Sequence, residues 1–546
     1  TISSMNTISF IVSTSEVKDA SKIHIVNSDN RNIAIKSLTL PNDTNNNYVI
    51  TLENDIDLTK GYDVTIQDFG TKTAIPHEVF DTDYFIKNLT NNGNDIGATI
   101  TNNGTLFKLW APTASSVILQ LFKSGTDEQP FKIVVMNKEA QGVWSYEAEG
   151  VNHGTYYTYI VKTAEGWQEA VDPYAMSAGL NGLRGMVLDH KQACPKDFEN
   201  EKFRELDSYR KAIVWETHVR DFSNEIKDSK YKGKYLSFTE TGLKNENGIP
   251  VGIDYLKELG ITHVQLMPVY DFGSVDETDP TQFNWGYDPQ NYNVPEGSYS
   301  TDPANGSVRI TEFKQMIQAL HAQNFSVVMD VVYNHTHKED SNLNKCCPYY
   351  YYRYKDDSNE ISNGSGCGND TMSERVMFSK YIVDSLHYWM STYKLDGFRF
   401  DLMGLIDLQT IQKVEEDIHK LNPNAIIYGE GWQMGTATKV PMANQVNIIQ
   451  VKITNNAGGS VGVFNDAIRD GIRGSVFDKD KPGYLGNPTN DEFINQIIFG
   501  LKGGEVPLND NSWKVENASV INYISAHDNS TLYDKLKSSC PDVPED

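Results

Sequence analysis

Short runs of alternating apolar and polar residues fill the first 75 residues of the chain, as in Lys22–Asn27 and Tyr48–Glu53. Alternation with a period of two places the apolar side chains on one face of a β-strand. Segments rich in Asn, Asp and Pro separate these runs, and such residues favour turns. The pattern predicts an all-β module of short strands over residues 1–75, followed by a linker without a clear period over residues 76–94.

A second group of strand patterns begins near Asp95. Gly104–Phe122 reads as two strands interrupted around Pro112, and Gly142–Gly150 and Gly154–Thr163 read as further strands. We therefore predict a second all-β module, a β-sandwich over residues 95–190.

From Ala212 onwards, apolar strand segments alternate with helical segments whose apolar residues recur every three or four positions. The predicted strands lie in Ala212–Val219, Ile261–Val269, Phe325–His335, Leu395–Asp401, Asn424–Trp432, Val461–Ile472 and Ser519–Asn529. This alternation is typical of a parallel sheet and predicts a (β/α)8 TIM-type barrel over residues 191–546. An open doubly wound sheet is the alternative, but no glycine-rich phosphate-binding loop follows the first strand.

No segment after the seventh strand reads as an eighth, so the predicted barrel is incomplete on its C-terminal side. An open barrel would leave an unpaired strand edge and exposed apolar surface. We therefore expect that this chain is a fragment, or that another chain supplies the rest.

The chain has 546 residues and a formal net charge of −25. This excess of acid argues against nucleic acid and anionic membranes as partners, because their phosphates would be repelled. A neutral partner is compatible with it, and 29 Tyr and 8 Trp supply rings of the kind that grip neutral carbohydrate. No apolar run is long enough to cross a bilayer. We expect a soluble monomer that is either cytoplasmic or secreted, with any signal segment outside this chain.

The five cysteines form no CxxC pair and no metal-ligand spacing. A disulfide scaffold is not expected, although one bridge among Cys346, Cys347 and Cys367 stays open. No metal ligand set and no required cofactor are indicated, and a structural calcium ion is compatible with the sequence without a signal for it.

Charged, titratable and amide side chains lie at the ends of four predicted barrel strands. In such a barrel, the functional groups collect at these ends. They are Asp330, Asn334 and His335 on the third strand, Arg399 and Asp401 on the fourth, Glu430 on the fifth, and His527 and Asp528 on the seventh. One acid at a strand end is usually a cap for the next helix. Four acids and two histidines at corresponding heights indicate a catalytic site.

Arg399 and Asp401 share one face of the fourth strand, because side chains alternate along a strand. The arginine favours the ionised form of its neighbour, and an ionised carboxylate is what a nucleophile needs. A salt bridge at the strand end is the alternative interpretation of this pair. Paired carboxylates facing a neutral substrate suggest glycoside hydrolysis, in which one acid attacks and the other protonates the leaving oxygen.

The remaining polar groups suit the supporting roles of that reaction. Glu430, flanked by glycines and near Trp432, would have a raised pKa and suits the general acid/base. Asp528 suits electrostatic stabilisation of a cation-like transition state. His335 and His527 suit hydrogen bonds to sugar hydroxyls.

Four segments in chain order resemble the four signature regions of the alpha-amylase superfamily of glycoside hydrolases. They are DVVYNH, DGFRFD, GEGW and HDN. Within that superfamily, Phe283–Ser300 resembles the YNWGYDP motif of type I pullulanases, with Phe283 in place of the leading tyrosine. The resemblance runs from about Phe80 to Asn529, and the first 75 residues are only loosely similar to the N-terminal β domains of some members.

This resemblance implies a debranching enzyme that hydrolyses α-1,6 links in pullulan and branched α-glucans with retention of configuration. It implies that Asp401 is the nucleophile, Glu430 the acid/base and Asp528 the transition-state stabiliser. It also implies that the second module is a carbohydrate-binding module of the kind found in debranching enzymes. The family's sugar-contacting positions correspond to Tyr287, His335, Arg399, Trp432 and His527.

Two other functions stay open. The first is an isoamylase-like or branching-type enzyme of the same superfamily, although the NWGYDP and NGSGCGND segments favour a pullulanase. The second is a glucan-binding protein with an inactive, incomplete barrel, against which the presence of all three acids argues.

Overall fold

The computed structural model describes residues 1–12, 17–42, 47–355, 358–448, 461–504 and 520–542. Two small antiparallel sheets make up the N-terminal module. The first has the strand order Ile2–Ser4, Thr7–Phe10, Tyr48–Leu52, Ile35–Thr39, and the second has the order Ile23–Asn27, Tyr62–Ile66, Gly70–Thr73. Alternate residues such as Ile8, Ile25 and Ile50 are buried in one shared cluster, as the period-two pattern predicts.

The segment that follows contains a short helix, Asp83–Leu89, which the sequence pattern does not predict. The Thr82 hydroxyl caps it by accepting a hydrogen bond from the Phe85 backbone N–H at 3.3 Å. The Phe85 ring is fully buried, and Arg375 of the third domain pairs with Asp81 at 3.0 Å. Tertiary packing therefore orders a helix that is too short to be stable alone.

The second module is a sandwich of two antiparallel sheets. One has the order Lys132–Val135, Ser116–Phe122, Tyr156–Thr163, Gly166–Ala170, with Gly185–Met186 paired to its third strand, and the other has the order Asn137–Lys138, Val143–Glu149, Gly104–Trp110, Gly97–Ile100. Side chains such as Phe107, Leu119 and Val161 form its buried core. The predicted interruption at Pro112 separates two strands that belong to opposite sheets.

Seven parallel strands form the sheet of the third domain. In both chain order and spatial order they are Val214–Thr217, His263–Leu266, Ser326–Val331, Gly397–Phe400, Ile426–Gly429, Val461–Asn465 and Val520–Asn522. Each lies inside one of the predicted strand segments. Gly397 allows close strand packing, since a Cβ there would lie 2.3 Å from the Ile426 carbonyl oxygen. The strand order is that of a (β/α)8 barrel, and the described residues supply seven of its strands. The predicted architecture, two β modules followed by a barrel, is confirmed.

Helices connect these strands and flank the sheet. The described helices span Val219–Ser223, Ile253–Leu259, Gly306–Ala322, Asn342–Cys346, Val376–Tyr393, Leu408–Leu421, Asp466–Arg473, Asp491–Leu501 and Leu532–Ser539. The third of them begins four residues before the predicted Ile310, because the Asn305 side chain accepts a hydrogen bond from the Ser307 N–H at 3.0 Å. No helix among the described residues is long and apolar enough to cross a membrane. All five cysteines are free, so no bridge joins Cys346, Cys347 and Cys367.

Candidate active site

Arg399 lies at the centre of the polar groups at the carboxyl ends of the barrel strands. Its Nη1 contacts Asp330 Oδ1 at 3.0 Å and Asp401 Oδ1 at 3.2 Å, and its Nη2 contacts Glu430 Oε1 at 2.7 Å. The guanidinium is buried, so these charge-assisted contacts are screened little by water. One arginine thus joins acids from the third, fourth and fifth strands.

Asp401 follows the fourth strand and is fixed by neighbours on both its backbone and its side chain. Asn334 Nδ2 donates hydrogen bonds to Asp401 Oδ2 and to its main-chain oxygen, both at 2.9 Å. The Asp401 N–H donates to the Val331 carbonyl at 3.0 Å. The side chain keeps 13 % of its surface exposed. The carboxylate is therefore held in one orientation and remains open to a reacting molecule, as a positioned nucleophile requires.

Glu430 follows the fifth strand and is bonded through both carboxyl oxygens. Oε1 contacts Arg399, and Oε2 accepts the Leu402 backbone N–H at 2.9 Å. Burial raises the pKa of Glu430, and repulsion from Asp401 and Asp528 adds to the rise, while Arg399 and the Leu402 N–H oppose it. The direction is the one that the sequence predicts, and a raised pKa suits an acid that must carry a proton near neutral pH.

Asp330 is fully buried on the inner side of Arg399. Burial raises the pKa of Asp330 to about 7, with Arg399 opposing the rise and repulsion from Asp401 adding to it. The Tyr287 hydroxyl donates a hydrogen bond to Asp330 Oδ2 at 2.7 Å. Asp330 therefore holds Arg399 through an ion pair and Tyr287 through a hydrogen bond, and its burial keeps it away from a substrate.

Three rings form a wall beside these acids. The Tyr287 and His527 rings stack with centroids 4.9 Å apart and planes 24° apart, and Trp285 meets His527 edge-on at 5.1 Å. Trp285 keeps 42 % of its surface exposed. Aromatic rings with one face available at a polar site offer apolar contact area beside hydrogen-bonding groups, which suits a sugar ring. Tyr287 and His527 were predicted from the sequence, whereas Trp285 was not.

His335 lies among these groups with both ring nitrogens already engaged. Nδ1 is 2.6 Å from Asn334 Oδ1, and Nε2 is 2.7 Å from the Tyr287 carbonyl oxygen. The imidazole is buried, so a sugar hydroxyl would have to displace one of these partners. In this structure His335 orients Asn334, which holds Asp401, and fixes the backbone that carries the Tyr287 ring.

Asp528 and Trp432 line the open side of the site. Together with Arg399 and Glu430 they border a cavity of about 290 Å³. The Asp528 carboxylate is 54 % exposed and lies 3.5 Å from His527 Nε2. The structure therefore brings the predicted acids Asp401, Glu430 and Asp528, the predicted Tyr287, Arg399 and His527, and the predicted Trp432 to one end of the barrel.

A second cluster of acids lies away from this cavity and has the oxygen ligands that a hard cation prefers. Carboxyl oxygens of Asp271, Glu277 and Glu296 lie within 4.8 Å of one another. Arg309 contacts Asp271 at 3.4 Å and Glu277 at 3.1 Å, so a guanidinium already supplies positive charge there. The absence of a metal requirement stays a prediction.

Sequence reasoning missed Glu216, which lies near the end of the first strand. Its carboxylate accepts hydrogen bonds from His527 and Gln265 and borders the same cavity as Glu430. The other acids were found because they lie at the ends of predicted strands. Glu216 meets the same criterion, since the strand ends at Thr217, one residue after it. Gln265 donates a hydrogen bond to Glu216, and Tyr428 donates one to Gln265. No sequence pattern predicts these two contacts, because they join different strands of the folded barrel.

Two family descriptions match the chain: Carbohydrate-binding module 48 (Isoamylase N-terminal domain) matches residues 95–175, and Alpha amylase, catalytic domain, matches residues 222–358. The pullulanase of Bacillus subtilis (strain 168) is 37% identical over 461 residues, which cover 82% of this chain and 60% of the relative. Pullulanase 1, chloroplastic, of Arabidopsis thaliana is 33% identical and covers 82% of this chain and 55% of the relative. Isoamylase 3, chloroplastic, of rice (Oryza sativa subsp. japonica) is 27% identical and covers 60% of this chain and 46% of the relative. The chain thus spans less than two thirds of the length of these curated relatives.

Solved structures agree with these matches. The pullulanase of Paenibacillus barengoltzii in complex with maltohexaose and alpha-cyclodextrin is 40% identical with a TM-score of 0.80, and the match covers 86% of this chain and 72% of that one. The pullulanase of Anoxybacillus sp. LM18-11 complexed with maltotetraose is 34% identical with a TM-score of 0.83, covering 100% of this chain and 76% of that one. With such identity over more than two thirds of each solved structure, the chain belongs to the pullulanases, within the alpha-amylase superfamily of glycoside hydrolases.

Proposed function

We propose that this chain carries the catalytic machinery of a glycosidase that hydrolyses α-1,6-glucosidic links in pullulan and branched α-glucans with retention of configuration. The observation that carries the proposal is the Arg399 guanidinium, which holds the carboxyl groups of Asp401 and Glu430 at 3.2 Å and 2.7 Å and borders a cavity together with Glu430. Two acids with different environments at one site are what a double-displacement glycosidase needs. Family membership supports the choice of an α-1,6-linked glucan as substrate.

In the first step, the Asp401 carboxylate attacks the anomeric carbon of the sugar. The bond between that carbon and the glycosidic oxygen breaks, and the Glu430 carboxyl gives its proton to the leaving oxygen. Burial favours the protonated form of Glu430, and the contacts with Arg399 and Asn334 hold the Asp401 carboxylate in one orientation. The products are a glycosyl ester on Asp401 and a released glucan chain whose 6-hydroxyl group carries the proton from Glu430.

In the second step, the Glu430 carboxylate takes a proton from water, and the resulting hydroxide oxygen attacks the same anomeric carbon. The ester bond to Asp401 breaks, so both carboxyl groups return to their starting states. Two inversions at one carbon give retention. Asp528, exposed at the cavity, is placed to stabilise positive charge on the sugar ring in both steps, and Tyr287 supplies ring contact.

Incubating the chain with pullulan tests the proposal. We expect maltotriose to accumulate, and proton NMR during the first turnovers should show the α-anomer before mutarotation mixes the two forms. Cleavage of glycogen without cleavage of pullulan would instead favour the isoamylase-like alternative. Binding of glucan with no cleavage of either polymer would favour a glucan-binding protein.

The proposed partner is the α-glucan alone, and we propose that the chain acts as a monomer. The carboxyl, guanidinium and aromatic groups of the site all come from one chain, which supports this proposal. Light scattering coupled to size-exclusion chromatography tests it, and a mass of twice 61.4 kDa would contradict it.

A further inference from the structure

Glu216 is a carboxylate of the barrel interior that the reaction described above does not use. It lies in the first strand, Val214–Thr217, with 18 % of its side chain exposed. Its Oε2 accepts the His527 backbone N–H at 2.6 Å, and its Oε1 lies 2.9 Å from His527 Nδ1. The first and seventh strands are the two edges of the described sheet, so this double contact joins them.

A second strand fixes the orientation of Glu216. Gln265 is its register partner in the next strand and donates from Nε2 to Glu216 Oε1 at 2.9 Å. The Tyr428 hydroxyl donates to Gln265 Oε1 at 2.5 Å, which directs the oxygen of that amide away from Glu216 and its NH₂ group towards it. Glu216 is therefore held as an acceptor that faces His527.

His527 is surrounded by charged, titratable and aromatic groups from several elements. They are Glu216 on the first strand, Asp330 on the third, Arg399 on the fourth, Tyr287 and Trp285 in the loop after the second, Asp528 beside it, and His218 after the first strand. Burial opposes charge on His527, but the hydrogen bond and the charge of Glu216 outweigh it with help from Asp330, so the pKa of His527 is raised. The pKa of Glu216 is lowered although burial acts to raise it, because His527 and Arg399 favour the carboxylate.

We propose that Glu216 is a positioning residue that holds His527 as an imidazolium, with Nδ1–H bonded to Glu216 and Nε2–H presented towards the substrate cavity beside Asp528. This inference rests on the proposed glucan hydrolysis for its effect on rate. Two bonds from one carboxylate, to the backbone and to the ring of His527, fix both the place and the rotation of the imidazole. The Nε2–H is then a fixed donor for a sugar hydroxyl or for charge that develops at the reacting ring.

The Glu216→Gln variant tests the proposal, because it keeps the shape of the side chain and removes its charge. We expect the titration midpoint of His527 to move to lower pH by about one unit or more, as loss of an adjacent carboxylate implies. Nitrogen-15 NMR of histidine-labelled protein measures it without substrate, and comparison with His527→Gln assigns the signal. On pullulan, kcat should fall roughly 10- to 100-fold, by analogy with the loss of a carboxylate partner of a metal-binding histidine. The alkaline limb of the pH profile should move to lower pH.

Glu216→Asp keeps the charge and should restore the His527 midpoint in large part, and it also serves if Glu216→Gln fails to fold. Glu312→Gln is the matched control, since Glu312 is buried and accepts the Thr301 N–H at 2.8 Å on a helix outside the site. An unchanged His527 midpoint in Glu216→Gln, or an equal shift in Glu312→Gln, would overturn the proposal. If the unsubstituted chain cleaves no α-glucan, the proposed function fails, whereas the NMR titration still decides whether Glu216 holds His527 protonated.

Discussion

Two buried arginines contact acids, Arg399 three of them and Arg309 two, yet the two arginines differ in their other partners and in their access to a cavity. Arg309 is 0 % exposed, and carbonyl oxygens of Gly179, Pro295 and Pro303 share its guanidinium at 3.0–3.1 Å. Among the described residues, Arg399 pairs with the acids Asp330, Asp401 and Glu430, and it borders a cavity of about 290 Å³.

The acids around the two arginines differ in the same way. Asp271 and Glu277 are 1 % and 3 % exposed, whereas Asp401 keeps 13 %. Around Arg399, Asn334 donates to Asp401 while a backbone N–H donates to Glu430, so the two acids are given different environments. An arginine surrounded by acids therefore does not by itself indicate a catalytic site. Access and unequal environments distinguish a reacting pair from a structural cluster.

The largest expected effect separates the two clusters by activity. Asp401→Asn should lower kcat by roughly 10⁴-fold or more, the scale on which loss of a covalent nucleophile acts, while leaving α-glucan binding and the thermal unfolding midpoint near those of the parent. Asp271→Asn, the same change in the Arg309 cluster, should leave kcat within about twofold. Initial rates on pullulan measure both. Turnover by Asp401→Asn at the parent rate would remove the nucleophile assignment.

Arg309→Met should separate the clusters by stability. Removing the guanidinium leaves uncompensated acids in a sealed interior, and breaking a buried ion pair in this way costs about 3–5 kcal/mol. We expect the thermal unfolding midpoint to fall strongly, while the molecules that remain folded keep their kcat. A midpoint equal to that of the parent would show that Arg309 does not stabilise this cluster of acids.

A change of pH should alter the free energy of unfolding through Asp271 in the Arg309 cluster and the activity through Glu430 at the Arg399 site. Burial, with repulsion from Glu277, raises the pKa of Asp271 to about 7, so the folded chain binds a proton between about pH 4 and pH 7 that the unfolded chain releases. The free energy of unfolding should therefore fall as pH rises through that window. Asp271→Asn should reduce this dependence in urea unfolding measured from pH 4 to pH 8, and the part that remains includes Asp330, whose pKa burial raises to about 7 as well. At the Arg399 site, activity should fall as pH rises through the raised pKa of Glu430, because the first step needs the protonated acid.

Much of the barrel follows from sequence, because strands buried on both faces leave nearly continuous apolar segments between amphipathic helices. The spacing of Arg399 and Asp401 likewise predicts their contact, since residues two apart share a strand face. The Arg309 cluster could not be predicted in this way. Asp271 lies in the strand Tyr270–Phe272, Glu277 in the loop after it and Glu296 directly after the strand Pro289–Pro295, and only tertiary folding brings them together.

The same limit applies to the histidines and to the linker. His335 carries the right side chain to bind a sugar, but its two protein partners are visible only once Tyr287 and Asn334 are in place. The Asp83–Leu89 helix has too few residues to show a period, and its order depends on the ion pair between Arg375 and Asp81. Local pattern therefore predicts elements and strand-end acids, whereas their mutual hydrogen bonds depend on contacts between distant segments.

The smallest expected effects concern two residues with left-handed backbones, one at each cluster. Leu402 has φ 39° and supplies the N–H that holds Glu430, while Gly182 has φ 64° and a Cβ there would lie 2.2 Å from Asp271 Oδ2. Asn adopts this conformation more readily than Leu, so Leu402→Asn should raise stability by about 0.5–1 kcal/mol and keep kcat within about twofold, since the backbone donor remains.

Gly182→Ala should do the reverse and lower stability by about 1–3 kcal/mol through strain and overpacking, with no change in kcat. Thermal unfolding and initial rates on pullulan, measured on both variants, decide the matter. A tenfold loss of kcat in Leu402→Asn would mean that the Leu402 side chain, and not its N–H alone, shapes the cavity. Unchanged stability in Gly182→Ala would mean that the packing around Asp271 is loose enough to admit a methyl group, and the contrast between a sealed cluster and an open one would then lose its basis.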